Sequence, residues 1–184
     1  MLRIGVIGQS GTVAEEVYAL AESVGREIAA RGAMLLTGGT SGVMEAVSKG
    51  AKSAGGLVVG ILPGDKLDRV NSHVDIPITT GLSFDYRSMI LIHSSDAVIM
   101  VGGENGTLGE LSCAYLNGKP IVIVEPSGGW ASRVRAMAYE GCYLDTRRTV
   151  KLDYAHTASE ALEIVLARME NLPDKESGQG EDYK

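Results

Sequence analysis

The fold is decided by residues 97–120, AVIMVGGENGTLGELSCAYLNGKP. Ala97, Val98, Ile99, Met100 and Val101 form an unbroken apolar run of strand length, and it enters Gly102-Gly103-Glu104-Asn105-Gly106-Thr107 without a spacer. An apolar-periodic segment follows, with Leu108, Leu111, Ala114 and Tyr115 on one helical face; Asn117-Gly118 stops it and Pro120 opens the next apolar run. A strand, a glycine turn and a helix in that order bring free backbone N–H groups to one point. Those donors and the positive end of the helix dipole attract an anion, most often a phosphate. Gly102, Gly103, Asn105, Gly106 and Thr107 are therefore expected to form a ligand site, with Thr107 near the helix start.

Outward from this stretch the pattern repeats. Residues 2–7 read as a first strand, followed by Gly8-Gln9-Ser10-Gly11-Thr12 and a helix over 14–30. Residues 34–37 and 57–62 are further strands, and a helix over 43–54 lies between them. Thr37-Gly38-Gly39-Thr40-Ser41-Gly42 has its glycines at the same offsets as Val101-Gly102-Gly103-Glu104-Asn105-Gly106. Gly8, Ser10, Gly38, Gly39 and Gly42 thus join the expected phosphate and nucleotide contacts. Pro77 confines residues 74–78 to a sheet edge. Asp85 is expected to cap a helix reaching His93. Residues 121–124 are a buried strand, 130–139 a helix, 149–152 a last edge strand, and Ser159 begins a final helix to about residue 172.

Apolar runs without alternation mark strands buried on both faces. The expected architecture is a three-layer, Rossmann-like, doubly wound α/β fold with a mostly parallel sheet, formed by one domain over residues 1–172. Residues 173–184 have almost no apolar content and are expected to form a disordered tail.

Composition narrows the function. The chain has 184 residues, 45% of them hydrophobic and 22% charged, as in ordinary soluble domains. With one Trp and one Phe, its core must be aliphatic. A net charge of −6 disfavours nucleic-acid and anionic-membrane partners. Apolar runs too short to span a bilayer, no leader pattern and two unpatterned cysteines point to the cytoplasm. Neither the three histidines nor the cysteines show metal-ligand spacing, so neither a metal nor a resident cofactor is expected.

Two charged residues stand out. Arg87 lies near a helix N-terminus, where the dipole opposes a cation; either it meets a phosphate or carboxylate, or it is simply exposed. Glu110 lies one turn into the helix after the central glycine turn. It is either a surface carboxylate favoured by the dipole, or a base or charge stabiliser beside a phosphate-sized site. Gly-x-x-x-x-Gly-Lys-Ser/Thr and Gly-x-Gly-x-x-Gly are both missing, which removes the usual warrant for an ATPase or a common dinucleotide enzyme.

With these residues in view, the chain resembles the Lonely Guy (LOG) family, once misnamed lysine decarboxylases, and its wider superfamily. The family pattern Pro-Gly-Gly-x-Gly-Thr-x-x-Glu is approached by residues 101–110, with one additional residue between the glycines. Arg87 matches the family's upstream arginine, Gly38-Gly39 with Gly42-Val43-Met44 its first glycine turn, and Gly118-Lys119-Pro120 the segment after the motif helix. The resemblance implies a phosphoribohydrolase that cleaves a nucleoside 5′-monophosphate to base and ribose 5-phosphate. Arg87 and Glu110 would be catalytic, with the glycine turn on the phosphate. It also implies a homodimer or larger homo-oligomer, for which the helix of residues 85–93, rich in Met and Ile, is a candidate contact element. Val101 in place of Pro, Ser88 in place of Lys and Gly109 in place of an acid bring the chain closer to the branch containing molybdenum-cofactor carriers. That branch implies a non-catalytic carrier of a phosphorylated pterin, or a nucleotide sensor, as the alternative.

Overall fold

The computed structural model describes residues 1–171; the tail expected at 173–184 lies outside them. Seven strands form one parallel sheet in the order β4-β3-β2-β1-β5-β6-β7. They are β1 (Arg3–Ile7), β2 (Met34–Thr37), β3 (Val58–Leu62), β4 (Ile76–Thr79), β5 (Ala97–Val101), β6 (Ile121–Val124) and β7 (Leu152–Ala155). The helices are α1 (Glu15–Ala30), α2 (Val43–Ser53), α3 (Phe84–Ser94), α4 (Asn105–Leu116), α5 (Val134–Met137) and α6 (Ala158–Glu170). This is the doubly wound α/β fold expected from the apolar runs.

Strand alternation divides the core in two. Ile4, Val6, Leu35, Ile99, Val101 and Val122 pack with Val24 and Ile28 of α1, Val47 of α2 and Leu162 of α6. Ile7, Leu36, Val98, Met100, Ile121 and Ile123 point the other way, onto Leu91 and Ile92 of α3, Leu111 and Tyr115 of α4, and Val134 of α5. On the first face α1 and α2 approach very closely. A Cβ on Gly25 would lie 2.0 Å from the Val47 carbonyl, and one on Gly50 would lie 1.9 Å from the Glu22 carbonyl.

Strand order reverses between β1 and β5. The chain leaves β1 toward β2 on one side and leaves β5 toward β6 on the other. Their carboxyl ends therefore open a crevice at the place where doubly wound sheets bind ligands.

Four local expectations need correction. The last strand is Leu152–Ala155 and not 149–152, because Leu152 and Ala155 are the buried residues that pair with β6. The helix expected over 130–139 shrinks to the single turn of α5; Trp130 and Ala131 instead donate their amides to the Gly103 and Gly102 carbonyls, both at 3.0 Å. Ser83, not Asp85, occupies the N-cap of α3, and Asp85 lies in its first turn. The final helix begins one residue earlier than Ser159. Thr157 caps it by accepting from the Glu160 amide, while the Glu160 carboxylate accepts from the His156 amide at 2.7 Å.

Candidate functional site

The crevice holds a cavity of about 410 Å3, within the range of small-ligand sites. Its walls come from three segments: Gly8, Gln9 and Ser10 after β1; Phe84, Asp85, Arg87, Ser88 and Met89 on α3; and residues 104–107 with Gly109 and Glu110 at the start of α4. Met44 of α2 contributes as well.

The glycine turn is built differently from the arrangement expected. Gly102 and Gly103 have φ of +61° and +108°, a region that favours glycine. Their amides are already taken: Gly102 N–H donates to Ser127 Oγ at 2.6 Å, and Gly103 N–H donates to Gln9 Oε1 at 2.9 Å. The donors left over lie one step further on. α4 begins at Asn105 with Glu104 as N-cap, and no side chain caps it. The Asn105, Gly106 and Thr107 amides therefore have no partner within the helix, and they belong to residues that line the cavity. The anion-attracting end of the dipole is open.

The other glycine turn lies behind the cavity. Gly42 packs on the backbone of Gln9, Ser10 and Gly11, and the Val43 amide donates to the Gln9 carbonyl at 3.1 Å. Ser41 Oγ accepts from the Gly11 amide at 3.0 Å. Gly39 packs against Gly60. Gly38 leaves room for Arg87: a Cβ there would sit 2.0 Å from Arg87 Nη1. Of the residues singled out in the sequence, the cavity brings together Gly8, Ser10, Arg87, Asn105, Gly106, Thr107 and Glu110. Gly38, Gly39, Gly42, Gly102 and Gly103 form the scaffold around it.

Arg87 and Glu110 are both buried, at 4% and 8% exposure. Neither is the exposed surface residue that the sequence left open. Arg87 Nε and Nη1 are buried with no hydrogen-bond partner. Burial lowers the pKa of this guanidinium, and the Glu110 carboxylate opposes that effect. The two are not in ion-pair contact within 4.0 Å, and among the described residues no carboxylate contacts the Arg87 guanidinium. Burial likewise raises the Glu110 pKa, against the pull of a 2.8 Å hydrogen bond from Ser88 Oγ and the charge of Arg87. A carboxyl whose pKa burial pushes up, beside a desolvated cation, is suited to proton transfer or to stabilising positive charge on a ligand.

Sequence reasoning passed over Gln9, Phe84, Met44 and Met89 as wall residues, and it noted Ser88 only as a departure from a family pattern. Gln9 sits between Gly8 and Ser10, so the argument that selected those two could have included it. With its Oε1 held by Gly103, its amide nitrogen remains a donor.

Fold and site together define a Rossmann-like protein with a small-molecule cavity at the topological switch point. Residues 1–162 match the SLOG cluster4 family, and the chain belongs to it. It is 48% identical over 126 residues to an uncharacterised protein of Archaeoglobus fulgidus, a match covering 68% of this chain and 82% of that one. It is 38% identical over 122 residues to the cytokinin riboside 5′-monophosphate phosphoribohydrolase of Mycobacterium tuberculosis, covering 61% of this chain and 65% of the enzyme. Among solved structures, the molybdenum cofactor binding protein of Rippkaea orientalis superposes with a TM-score of 0.78 at 33% identity, covering 91% of this chain and 97% of the other. The molybdenum cofactor carrier protein of Chlamydomonas reinhardtii gives 0.77 at 32%, covering 92% and 98%. A structural-genomics crystal structure gives 0.87 at 38%, covering 91% and 99%. The resemblance to the LOG superfamily and to the carrier branch thus holds. No helix among the described residues is long and apolar enough to cross a membrane.

Proposed function

We propose that the protein is a nucleoside 5′-monophosphate phosphoribohydrolase. The observation that carries this reading is the buried Arg87, with two unpartnered guanidinium nitrogens, beside Glu110 on the wall of a cavity that also receives the open N-terminus of α4. The phosphate is held by the Asn105, Gly106 and Thr107 amides with Arg87, and this places the ribose against Glu110. Departure of the base leaves oxocarbenium character on the sugar, which a carboxylate stabilises while it activates water. The oxygen of that water bonds to C1′, and the glycosidic electron pair leaves on the base nitrogen. One water proton goes to Glu110 and is passed on to that nitrogen. Gln9 donates to the ligand, and Phe84, Met44 and Met89 supply an apolar wall for a flat ring.

The test is incubation with AMP, GMP, CMP, UMP and a cytokinin riboside 5′-monophosphate, with ribose 5-phosphate as the readout. Release by the wild type and its loss in Glu110→Ala support the proposal; no release from any nucleotide refutes it. Ser88 and Gly109, together with the carrier structures, favour one second reading, a non-catalytic carrier of a phosphorylated pterin. That reading predicts a ligand-induced rise in Tm that survives Glu110→Ala.

Assembly is part of the same reading. α3 turns Arg87 inward while Tyr86, 69% exposed, and Ile90 face outward, close in sequence to exposed Leu82 and Phe84. This outer face suits a second copy of the chain. Sedimentation as a monomer at micromolar concentration would contradict that.

A further inference from the structure

We propose that Ser88 is the positioning residue for Glu110, its hydroxyl passing one hydrogen bond between the Glu110 carboxylate and the Phe84 carbonyl as Glu110 loses and regains a proton. The proposal rests on the phosphoribohydrolase reading, in which Glu110 holds a proton for part of each turnover.

The geometry is specific. Ser88 Oγ lies 2.8 Å from Glu110 Oε1 and 3.1 Å from the Phe84 carbonyl oxygen. A serine hydroxyl has one proton and two lone pairs. When Glu110 is ionised both neighbours are acceptors, and only one of them receives that proton. The carboxylate is the stronger acceptor and takes it. When Glu110 is protonated it becomes the donor: its O–H points at Ser88 Oγ, and the Ser88 proton swings to the Phe84 carbonyl. That carbonyl lies in the first turn of α3, where the backbone ladder already satisfies it, so the exchange leaves no group unmade in either state. An unmade hydrogen bond at a buried carboxyl is costly, and this arrangement avoids it in both directions.

The charged and titratable groups facing Glu110 are few. Arg87 on α3 favours the carboxylate, and Cys113, one turn along α4, has its thiol pushed up by burial and, to a smaller extent, by Glu110. Asp85 and Glu104 stand exposed at the cavity mouth. Ser88 is a neutral group in contact with Glu110 whose hydroxyl can both give and take a hydrogen bond.

The experiment is a 13C NMR titration of carboxyl-labelled glutamate in the full chain, with Glu110→Gln used to assign the signal. Wild type, Ser88→Ala and Ser88→Thr are compared, each first shown to unfold at the wild-type temperature. Loss of one charge-assisted hydrogen bond moves the Glu110 midpoint up by about one pH unit in Ser88→Ala, while Ser88→Thr, which keeps the hydroxyl, stays at the wild-type value. In an active enzyme the acid limb of kcat moves by the same amount, with KM unchanged. An unmoved or lowered midpoint in Ser88→Ala overturns the proposal, as does Ser88→Thr behaving like Ser88→Ala. The titration needs no turnover, so absence of ribose 5-phosphate release would overturn the hydrolase reading and leave this result standing by itself.

Discussion

Replacing Gly38 by alanine tests the site without substituting any residue of the cavity wall. Gly38 has no positive φ, so alanine meets no backbone strain, but its Cβ would stand 2.0 Å from Arg87 Nη1 and 2.5 Å from Met44 Sδ. Ordinary contact begins near 3.4 Å, so the guanidinium must retreat by about 1.4 Å. The clashing atoms are the far ends of two flexible side chains, so the fold survives with a Tm loss of a few degrees. Misplacing a positioning group by about 1 Å costs on the order of 100-fold in rate. Gly38→Ala is therefore expected to lower kcat/KM for a nucleoside monophosphate by about two orders of magnitude while circular dichroism stays native. Turnover within a factor of about three of wild type would refute the claim that the position of Arg87, set by the space at Gly38, governs the chemistry.

Three other outcomes are expected. Arg87→Met removes a desolvated cation with unpartnered donors, so Tm holds or rises while ligand binding is lost; a fall of several degrees with binding intact would contradict this. Gly50→Ala should destabilise by about 1–3 kcal/mol through contact with the Glu22 carbonyl, although alanine is the better helix former, whereas Gly109→Ala, in open space within α4, should stabilise by up to about 1 kcal/mol; denaturant melts that show the same sign for both would break the argument. Asp96 accepts from the Arg3 amide at 2.9 Å and from its guanidinium at 2.6 Å, which lowers its pKa, so its contribution is present above the unfolded-state pKa and lost as pH falls through the folded one. Because Arg3 is half-exposed, Asp96→Asn should cost no more than about 1 kcal/mol at pH 7, and nothing in acid where the wild type is protonated too; a penalty independent of pH would show that the charge is irrelevant.

The strands of this fold were legible because each is a short apolar run with a breaker behind it: β1, β2 and β5 meet a glycine, β3 meets Pro63-Gly64 and β6 meets Glu125-Pro126. The region after β6 was not, since the Trp130 amide is spent on Gly103, far away in sequence, and a helical pattern gives no warning of that. The candidate site divides along the same line. Arg87, Glu110 and residues 105–107 were visible because they sit beside a strand end or a helix start. The contacts between Gln9 and Gly103, and between Ser88 and Glu110, join residues 94 and 22 positions apart, and local spacing carries no trace of them. Gly25 and Gly50 look like helix defects until α1 and α2 are seen to touch.

Gln9 and Ser127 leave the Gly102–Gly103 turn fully hydrogen-bonded in the free protein. An arriving anion therefore meets a finished receptor and has little backbone left to order, so association needs no slow rearrangement step. Amide hydrogen exchange at Gly102 and Gly103 should be slow before any ligand is added, and protection gained on binding should fall on Asn105, Gly106 and Thr107 alone.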